Sequence, residues 1–335
     1  MKDIDKMGIK EVSVAELSGV KIGHAQDYDA MTGVTAFVFE GRAVAGIDIS
    51  GGGPASRETP LLDPKMACQD INAVILSGGS AFGLEAGCGA AKYLEEQGIG
   101  FDTGYAQVPL VCQSCIYDLS IGKSDVRPDI TMGYEACQNA VVGNDLCGSI
   151  GAGTGATVGK LTTMARSQKS GFGICTYKLG ELIVAAAVTV NALGDIFDYD
   201  SGQQLAGMTT EDRKNFADIE DGMYAGAIAG FSGGDENPQQ GKNTTIGIII
   251  TNAELSKGDM NKVASMTRNA YSRCILPVGT TADGDSIYAV SVGKVTADIN
   301  TVGTLAARTM GEAIKRAVTA DRMDDKEYLA KCIEL

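Results

Sequence analysis

The sequence contains a single histidine, His24, and no tryptophan among its 335 residues. With one histidine, every ordinary Ser–His or Cys–His catalytic arrangement would have to use His24. Nothing near it in "VKIGHAQD" pairs with it, so we predict a structural loop residue rather than a base. A hydrolase built from this chain would therefore need another base, such as a lysine, a carboxylate or an α-amine.

The chain also lacks an excess of basic residues and any long apolar run. Its 28 lysines and arginines face 42 aspartates and glutamates, and the formal net charge of −14 argues against nucleic acid and anionic membranes as partners. No apolar run reaches the roughly 20 residues of a membrane helix. The first residues show no apolar core of a signal peptide, so we expect a cytoplasmic protein.

Cysteine is present but without a pattern that builds a framework. The nine cysteines are scattered and odd in number, which argues against disulfides in so long a chain. Cys112 and Cys115 form a CxxC pair, but a zinc site would need two further ligands and the single histidine is distant. We predict that both are buried, reduced thiols and that the protein uses no metal or other cofactor.

Short β-branched runs alternate irregularly with helical patterns. The segment from Asp221 to Lys242 is rich in glycine, then acidic with a proline, and we predict an exposed, flexible connector there. The predicted strands are Val34–Phe39, Ile71–Leu76, Leu182–Val190, Ile246–Thr251 and Ile287–Val292, and the predicted helices are Ala81–Glu96, Met132–Val142, Asp259–Ile275 and Val302–Val318.

Two glycine-containing motifs resemble known functional motifs, a P-loop and a hydrolase nucleophile elbow, without matching them. "GAGTGATVGK", ending at Lys160, lacks the spacing of a P-loop and follows no buried strand, although its backbone N–H groups could approach a ligand or an oxyanion. "AVILSGGSAFGLEAG" looks like a hydrolase elbow around Ser80, but Phe82 stands where the second glycine of GxSxG belongs. We predict that Ser80 is a helix N-cap or a pocket wall.

The stretch "QQGKNTTIGIII" places Asn243 and Thr244 between a polar loop and a β-branched run. One interpretation is a turn followed by an ordinary strand start. The other is a chain cut between Asn243 and Thr244 that leaves Thr244 as an N-terminal nucleophile. An α-amine, whose reference pKa is about 7.7–8.0, would then supply the missing base. Before the cut, the Thr244 hydroxyl could attack the Asn243 carbonyl and form an ester that water opens.

Seven stretches together resemble one family over nearly the whole chain: the DmpA-type L-aminopeptidase/D-esterase family, which includes β-peptidyl aminopeptidases and nylon-oligomer hydrolases. The stretches are "VKIGHAQDYDAMTGVTAFVFE", "GGGPASRETPLLDP", "AVILSGGSAFGLEAG", "GAGTGATVGK", "VTVNALGD", "KNTTIGIIITNAELSK" and "TTADGDSIYAVSVG".

The resemblance implies a fold and an assembly. It implies an α+β fold, a four-layer αββα sandwich similar to other N-terminal-nucleophile hydrolases but differently connected. Residues 1–335 would form one hydrolase domain, cut into a large subunit, 1–243, and a small subunit, 244–335. The subunits would stay associated, as a homotetramer of processed heterodimers acting on a small peptide or amide.

The resemblance also assigns the reacting groups. It implies that Thr244 is the nucleophile and that Asp283 and Asp285, in "ADGDS", are an acidic pair able to tune it. Without the family, DGD would be interpreted as a hairpin turn.

Three further residues receive roles from the resemblance. Asn191 matches an oxyanion-stabilising amide and Lys160 a lysine near the nucleophile. Taken alone, Asn191 would be a strand-end residue and Lys160 a solvated charge. Tyr117 matches an aromatic side chain that lines the site.

One departure bears on specificity. Peptide-cleaving members carry an acid in the segment equivalent to "VPLVCQSCIYDL", where this chain has Gln113 and Ser114 and the nearest acid is Asp118. A more general amidase therefore stays open beside an aminopeptidase. We predict an autoprocessing amide or peptide hydrolase. The alternatives are an acyltransferase of the ornithine acetyltransferase kind and a non-catalytic small-molecule-binding member of the fold.

Overall fold

The computed structural model describes residues 5–41, 43–228, 242–320 and 323–333. The helices are α1 Ala86–Glu96, α2 Ile130–Gln138, α3 Ile219–Ile228, α4 Lys257–Cys274, α5 Ile299–Thr319 and α6 Asp325–Lys331. The strands are β1 Ile9–Glu11, β2 Val20–Asp27, β3 Thr32–Phe39, β4 Val44–Ile49, β5 Ala55–Arg57, β6 Ala73–Ser77, β7 Phe101–Asp102, β8 Gln107–Val108, β9 Val111–Cys115, β10 Thr157–Val158, β11 Gln168–Lys169, β12 Phe172–Leu179, β13 Leu182–Asn191, β14 Asp195–Phe197, β15 Gln204–Ala206, β16 Thr244–Ala253, β17 Ile275–Leu276 and β18 Ser286–Val295.

Two mixed sheets form the centre of the fold. The six-stranded sheet has the order β1-β12-β13-β16-β18-β4, and its pairs are antiparallel except for β16 with β18. The five-stranded sheet has the order β2-β3-β6-β9-β5, and its pairs are antiparallel except for β6 with β9. Parallel neighbours need a crossover, and α4 lies in the chain between β16 and β18.

The sheets and helices stack in four layers. Helices α4 and α5 pack on the outer face of the six-stranded sheet, and α1 and α2 pack on the outer face of the five-stranded sheet. Between the sheets lies a buried apolar layer drawn from both, which includes Phe37, Leu76, Ile248 and Tyr288. The predicted α+β class and four-layer αββα sandwich are therefore confirmed.

Strand β16 is buried on both faces, which explains its unbroken β-branched sequence. Ile246 and Ile248 pack into the layer between the sheets, whereas Ile249 packs into the core on the helix side. Because side chains alternate along a strand, Thr244 shares the inter-sheet face with Ile246, and Thr245 shares the helix face with Ile249. The first residue of the strand therefore points into the space between the sheets.

Most predicted elements are present with shifted ends. The predicted strands fall on β3, β6, β13, β16 and β18, and three of the predicted helices fall on α2, α4 and α5. The fourth, predicted from Ala81, begins as an α-helix only at Ala86, after a 3₁₀ turn over Ser80–Glu85. The N-cap position of that turn is Gly79, so the prediction of Ser80 as a cap was wrong.

Two loop predictions differ from the structure. The predicted connector, Asp221 to Lys242, starts within α3, because residues 221–228 are helical; residues 229–241 lie outside the described residues, so for them the connector stays a prediction. His24 lies in β2 rather than in a loop, and its Nδ1 is 3.0 Å from Thr35 Oγ1. Burial lowers the pKa of His24 to about 4, so the ring stays neutral at physiological pH and is unsuited to general-base work there.

Cys112 and Cys115 lie buried in β9 as free thiols, as predicted. Burial raises the pKa of each thiol to about 12, which keeps both protonated. Within the described ranges, no three His, Cys, Asp or Glu side chains are grouped so that they could hold a metal ion. None of the described helices combines the length and the apolar character needed to cross a membrane.

Candidate active site

The Asn243–Thr244 peptide bond lies at the point where the polar loop enters β16. Asn243 forms a parallel bridge with Asp283, and its backbone N–H donates to Ala282 O at 3.3 Å. The carbonyl oxygen of Asn243 accepts two hydrogen bonds, one from the backbone N–H of Gly284 at 2.9 Å and one from the hydroxyl of Thr244. Asn243 and Thr244 are both buried. Together with these hydrogen bonds, their burial holds the peptide bond between them in a fixed geometry.

Gly284 is placed so that no side chain would fit. A Cβ at this position would lie 2.8 Å from Gly53 O and 2.9 Å from Thr244 Oγ1, so the glycine allows the backbone to approach the hydroxyl closely. The DGD segment leads into β18, which runs parallel to β16. The hairpin-turn alternative for DGD is therefore wrong.

The two acids of DGD are buried and fully engaged. Asp285 accepts the backbone N–H of Thr245 at 2.6 Å on Oδ1 and that of Gly279 at 3.0 Å on Oδ2. Asp283 Oδ2 accepts the N–H and the hydroxyl of Thr280, at 2.9 Å and 2.6 Å. Burial raises the pKa of both carboxyls, and the neighbouring Asp283 charge helps to bring the pKa of Asp285 to about 7.

Lys160 is buried beside the same peptide. Its Nζ donates to Asn191 Oδ1 at 2.8 Å, to Asn191 O at 3.1 Å and to Lys242 O at 3.3 Å. Burial lowers the pKa of Lys160 to about 7, against the opposing effect of nearby carboxylates, Asp283 foremost. The alternative of a solvated charge is wrong, since only 5% of Lys160 is exposed.

Asn191 ends β13 and lies directly opposite Thr244 in the pairing with β16. Its side-chain Oδ1 accepts the Thr157 N–H at 3.1 Å, and its Nδ2 donates to Tyr117 O at 2.9 Å. The Asn191 amide group predicted to stabilise an oxyanion thus donates a hydrogen bond to the Tyr117 carbonyl. The donor that reaches the Asn243 oxygen is Gly284 N–H, a group that sequence reasoning missed; the signal was the glycine between two acids.

A cavity of about 550 Å³ adjoins this cluster. Its lining includes Tyr117, as the resemblance implied, and Lys160, which the cavity shares with the Asn243–Thr244 junction. Lys242, the residue before Asn243, also contributes to the wall. The predicted residues therefore meet in one place: Lys160, Asn191, Asn243, Thr244, Asp283 and Asp285 form the cluster, and Tyr117 connects it to the cavity.

In the segment "VPLVCQSCIYDL", which lacks the acid of peptide-cleaving members, Gln113, Ser114 and Asp118 direct their polar groups into the protein interior. The Gln113 amide donates to Gly83 O at 2.7 Å, and the Ser114 hydroxyl bonds the Tyr288 hydroxyl at 2.8 Å. Asp118 accepts the Gly79 N–H, and burial raises its pKa to about 6. None of the three residues from this segment lines the cavity.

The glycine-rich motif before Lys160 also serves the interior. Gly151 N–H donates to Gln26 Oε1 at 2.9 Å. A Cβ at Gly155 would lie 2.1 Å from Met31 O. The close approach that these glycines allow is thus to the protein's own groups.

Residues 13–327 match peptidase family S58. The chain is 36% identical over 306 residues to an uncharacterized aminopeptidase of Mycobacterium leprae, covering 85% of this chain and 80% of the relative. It is 29% identical over 318 residues to a 6-aminohexanoate-oligomer endohydrolase of Kocuria sp., covering 90% and 84%. These similarities confirm the resemblance inferred from the seven stretches.

Two solved structures share the fold. An L-aminopeptidase D-Ala-esterase/amidase of Ochrobactrum anthropi, described as a variant of the Ntn (N-terminal-nucleophile) hydrolase fold, superposes with a TM-score of 0.66 at 14% identity, covering 98% of this chain and 97% of its own. A β-aminopeptidase of Burkholderia sp. gives a TM-score of 0.65 at 16% identity, covering 95% and 92%. The layered architecture described above is therefore the fold that these two structures share.

Proposed function

Since the chain belongs to peptidase family S58 and is an enzyme of the peptidase/amidase kind, we propose that it cuts itself between Asn243 and Thr244. Thr244 then acts as an N-terminal nucleophile on small peptides or amides. One observation carries the proposal. The Thr244 hydroxyl bonds the carbonyl of the residue before it, and Gly284 N–H donates to the same oxygen.

The first step is self-cleavage. Thr244 Oγ1 attacks the carbonyl carbon of Asn243, a C–O bond forms, the C–N bond breaks, and the hydroxyl proton ends on the Thr244 nitrogen. Negative charge develops on the Asn243 oxygen in the tetrahedral intermediate, where the Gly284 N–H already points. Water then opens the ester, giving an Asn243 carboxylate and a Thr244 with a free amine and a free hydroxyl.

The proton transfer needs an acceptor that is active at neutral pH. Asp285 and Lys160 both have a pKa of about 7, for opposite reasons: burial disfavours the carboxylate of one and the ammonium of the other. A general base works best when its pKa lies near the working pH. These two groups supply the acceptor, and the bond from Lys160 Nζ to Lys242 O holds the peptide group that precedes the one that is cut.

In the second step the same hydroxyl attacks a substrate amide. The free α-amine of Thr244 takes the hydroxyl proton and passes it to the substrate nitrogen as the amide C–N bond breaks, so that the amine leaves and the acyl group remains on Oγ1 as an ester. Water then hydrolyses this ester to a carboxylic acid and restores the Thr244 hydroxyl. Gly284 N–H and the Asn191 Nδ2 hydrogen that does not bond Tyr117 O stabilise the oxyanion, and the cavity at Tyr117 holds the substrate. Aminopeptidase action and a homotetramer of processed heterodimers belong to the same proposal and rest on the family resemblance. A cytoplasmic location, expected from the sequence, is also part of it. Light scattering on the purified protein tests the tetramer.

The test of self-cleavage is the intact mass of the purified protein. Two chains are expected, residues 1–243 and 244–335, of about 25 kDa and about 10 kDa when the total of 34.7 kDa is divided by length. N-terminal sequencing of the small chain should begin at Thr244. Thr244→Ser keeps a hydroxyl and should still cut.

Thr244 and Thr245 offer a matched pair of variants. Valine has the shape of threonine without the hydroxyl, so Thr244→Val should stay full-length, folded and inactive. Thr245 points to the helix face, and its buried hydroxyl has no hydrogen-bond partner among the described residues. Thr245→Val should therefore cut normally. A small chain that begins elsewhere, or an uncut wild type with full amidase activity, contradicts the proposal.

A further inference from the structure

The cavity beside the Asn243–Thr244 junction is lined by three basic side chains, Arg127, Lys160 and Lys242. No aspartate or glutamate of the described residues is part of its lining. The whole chain carries a formal net charge of −14, so this concentration of positive charge runs against the composition. A concave site of one sign attracts ligands of the opposite sign.

Arg127 is held in a fixed orientation. Its Nε donates to Ser124 O at 2.9 Å, and its guanidinium carbon lies 3.7 Å from the centre of the Phe82 ring. Within the described part of the chain, its two terminal nitrogens make no hydrogen bond and no ion pair. A guanidinium held in this way presents a planar pair of donors whose spacing matches a carboxylate.

Among the described residues, the cavity lining includes no carboxylate that would compensate an ammonium. Asp118, the nearest acid in sequence to Tyr117, accepts the Thr32 hydroxyl and the Gly79 N–H, each at 2.7 Å, and does not line the cavity. A substrate with a free amine directed into this space would face like charge, which costs binding free energy.

We propose that the cavity binds a carboxylate, so that the enzyme prefers amides carrying an acidic group on the part of the substrate that enters it, with Arg127 as the specificity residue. The inference rests on the proposed function for the cutting of that amide by Thr244. Binding of the carboxylate itself needs only the cavity.

Binding to the uncut Thr244→Ala protein tests the inference without turnover. The probes are para-acetamidobenzoate and para-acetamidobenzamide, which share an amide and a ring and differ in the carboxylate. Calorimetry should show the carboxylate binding about 10-fold tighter or more, a preference that declines as salt is added. Arg127→Gln should reduce the preference to about twofold or less.

Arg273 supplies the matched control. It also stacks on an aromatic ring, Tyr199, at 4.2 Å from the ring centre, but it is not part of the cavity lining. Arg273→Gln should leave the preference unchanged. Equal affinities, no binding of either probe, or a preference that persists in Arg127→Gln overturns the inference.

Turnover by the wild type separates this inference from the proposed function. The substrates are the alanyl amides of para-aminobenzoate and para-aminobenzamide, and the para-nitroanilides of glutamate and glutamine. At least one acidic member should have a KM about 10-fold lower than its neutral partner, and Arg127→Gln should raise mainly that KM. Hydrolysis of the neutral substrates with no acidic preference contradicts the inference alone. Arg127-dependent binding in a chain that neither cuts itself nor hydrolyses an amide contradicts the proposed function alone.

Discussion

Asp285 and Asp195 are buried in the same manner at different places in the fold. In each carboxylate, both oxygens accept a backbone N–H, and burial raises the pKa, to about 7 for Asp285 and about 6 for Asp195. Asp285 holds the N–H of Thr245, next to Thr244, whereas Asp195 in β14 holds the N–H of Ile219, the first residue of α3. The pair therefore separates the chemical role of a buried acid from its structural role.

We predict that Asp285→Asn lowers turnover by about 10²-fold or more, a typical size for general acid–base contributions. The two variants Asp195→Asn and Asp285→Asn should lower the midpoint of thermal unfolding by similar amounts, because in each an amide NH₂ group faces a backbone N–H. The turnover of Asp195→Asn per folded molecule should stay near wild type. Asp283→Asn should behave like Asp285→Asn. Near-wild-type rates for both site variants would leave the acids with a structural role only.

The pH dependence of self-cleavage follows from two shifted groups. Below neutrality Asp285 and Lys160 are protonated and neither can accept the Thr244 proton; both lose their protons as pH rises through about 7. Uncut Thr244→Ser protein is collected at pH 5 and moved to higher pH. Its rate of self-cleavage should rise with pH and level off, with a midpoint near 7. A flat profile between pH 5 and 9, or a midpoint near the ordinary carboxyl value of about 4, contradicts this assignment.

At the scale of elements, the local sequence pattern predicts a helix or strand correctly where the segment's own residues determine its secondary structure. The β-branched run of β16 and the apolar stripes of α4 and α5 are local features, and their existence was predicted correctly. Ser80 is different: its φ of +53° and the bond from its N–H to Ile116 O come from a partner far along the chain. His24 is likewise fixed in a strand by its pairing with β3.

The candidate site divides in the same way. Its residue types could be taken from the family resemblance, since Thr244, Asn191 and the two acids stand in recognisable stretches. Its geometry could not. The bond from Gly284 N–H to the Asn243 carbonyl exists because β16 and β18 pair in parallel, and the chain reaches that pairing only after passing through α4.

Substitution of Gly284 tests the contact between the DGD segment and the Asn243 carbonyl. In Gly284→Ala the new methyl group would meet Gly53 O and Thr244 Oγ1 at less than 3 Å, so the DGD backbone must move away from the Asn243 carbonyl. We predict loss of self-cleavage in this variant, measured by intact mass. Gly258→Ala is the control. Gly258 lies in the first turn of α4, and a Cβ there would have room, since the nearest atom, Ser256 Oγ, is 3.8 Å away. That variant should cut fully and be as stable as wild type or slightly more so. Normal cutting by Gly284→Ala would remove Gly284 from the mechanism.

At the scale of the whole molecule, the proposed cut runs through the middle of the structure. Residues 244–335 supply β16 and β18, two inner strands of the six-stranded sheet, together with α4 and α5, which cover one face. Their flanking strands, β13 and β4, belong to residues 1–243. Ile246, Ile248 and Ile250 are buried against the other sheet, and each contributes roughly 1.5–3 kcal/mol by burial. The two pieces should therefore remain together after the cut and separate only on unfolding.

This predicts a difference between cut and uncut protein on dilution. When two chains fold as one body, unfolding releases them, so the urea midpoint of the cut wild type should fall as protein concentration is lowered. Thr244→Ala keeps one chain and should lack the part of this dependence that comes from release of the small chain. If a larger oligomer dissociates on unfolding, its effect is common to both proteins and cancels in the comparison. Equal dilution behaviour of the two proteins, or separation of the pieces on a native sizing column, would show that the buried strands do not hold the halves together.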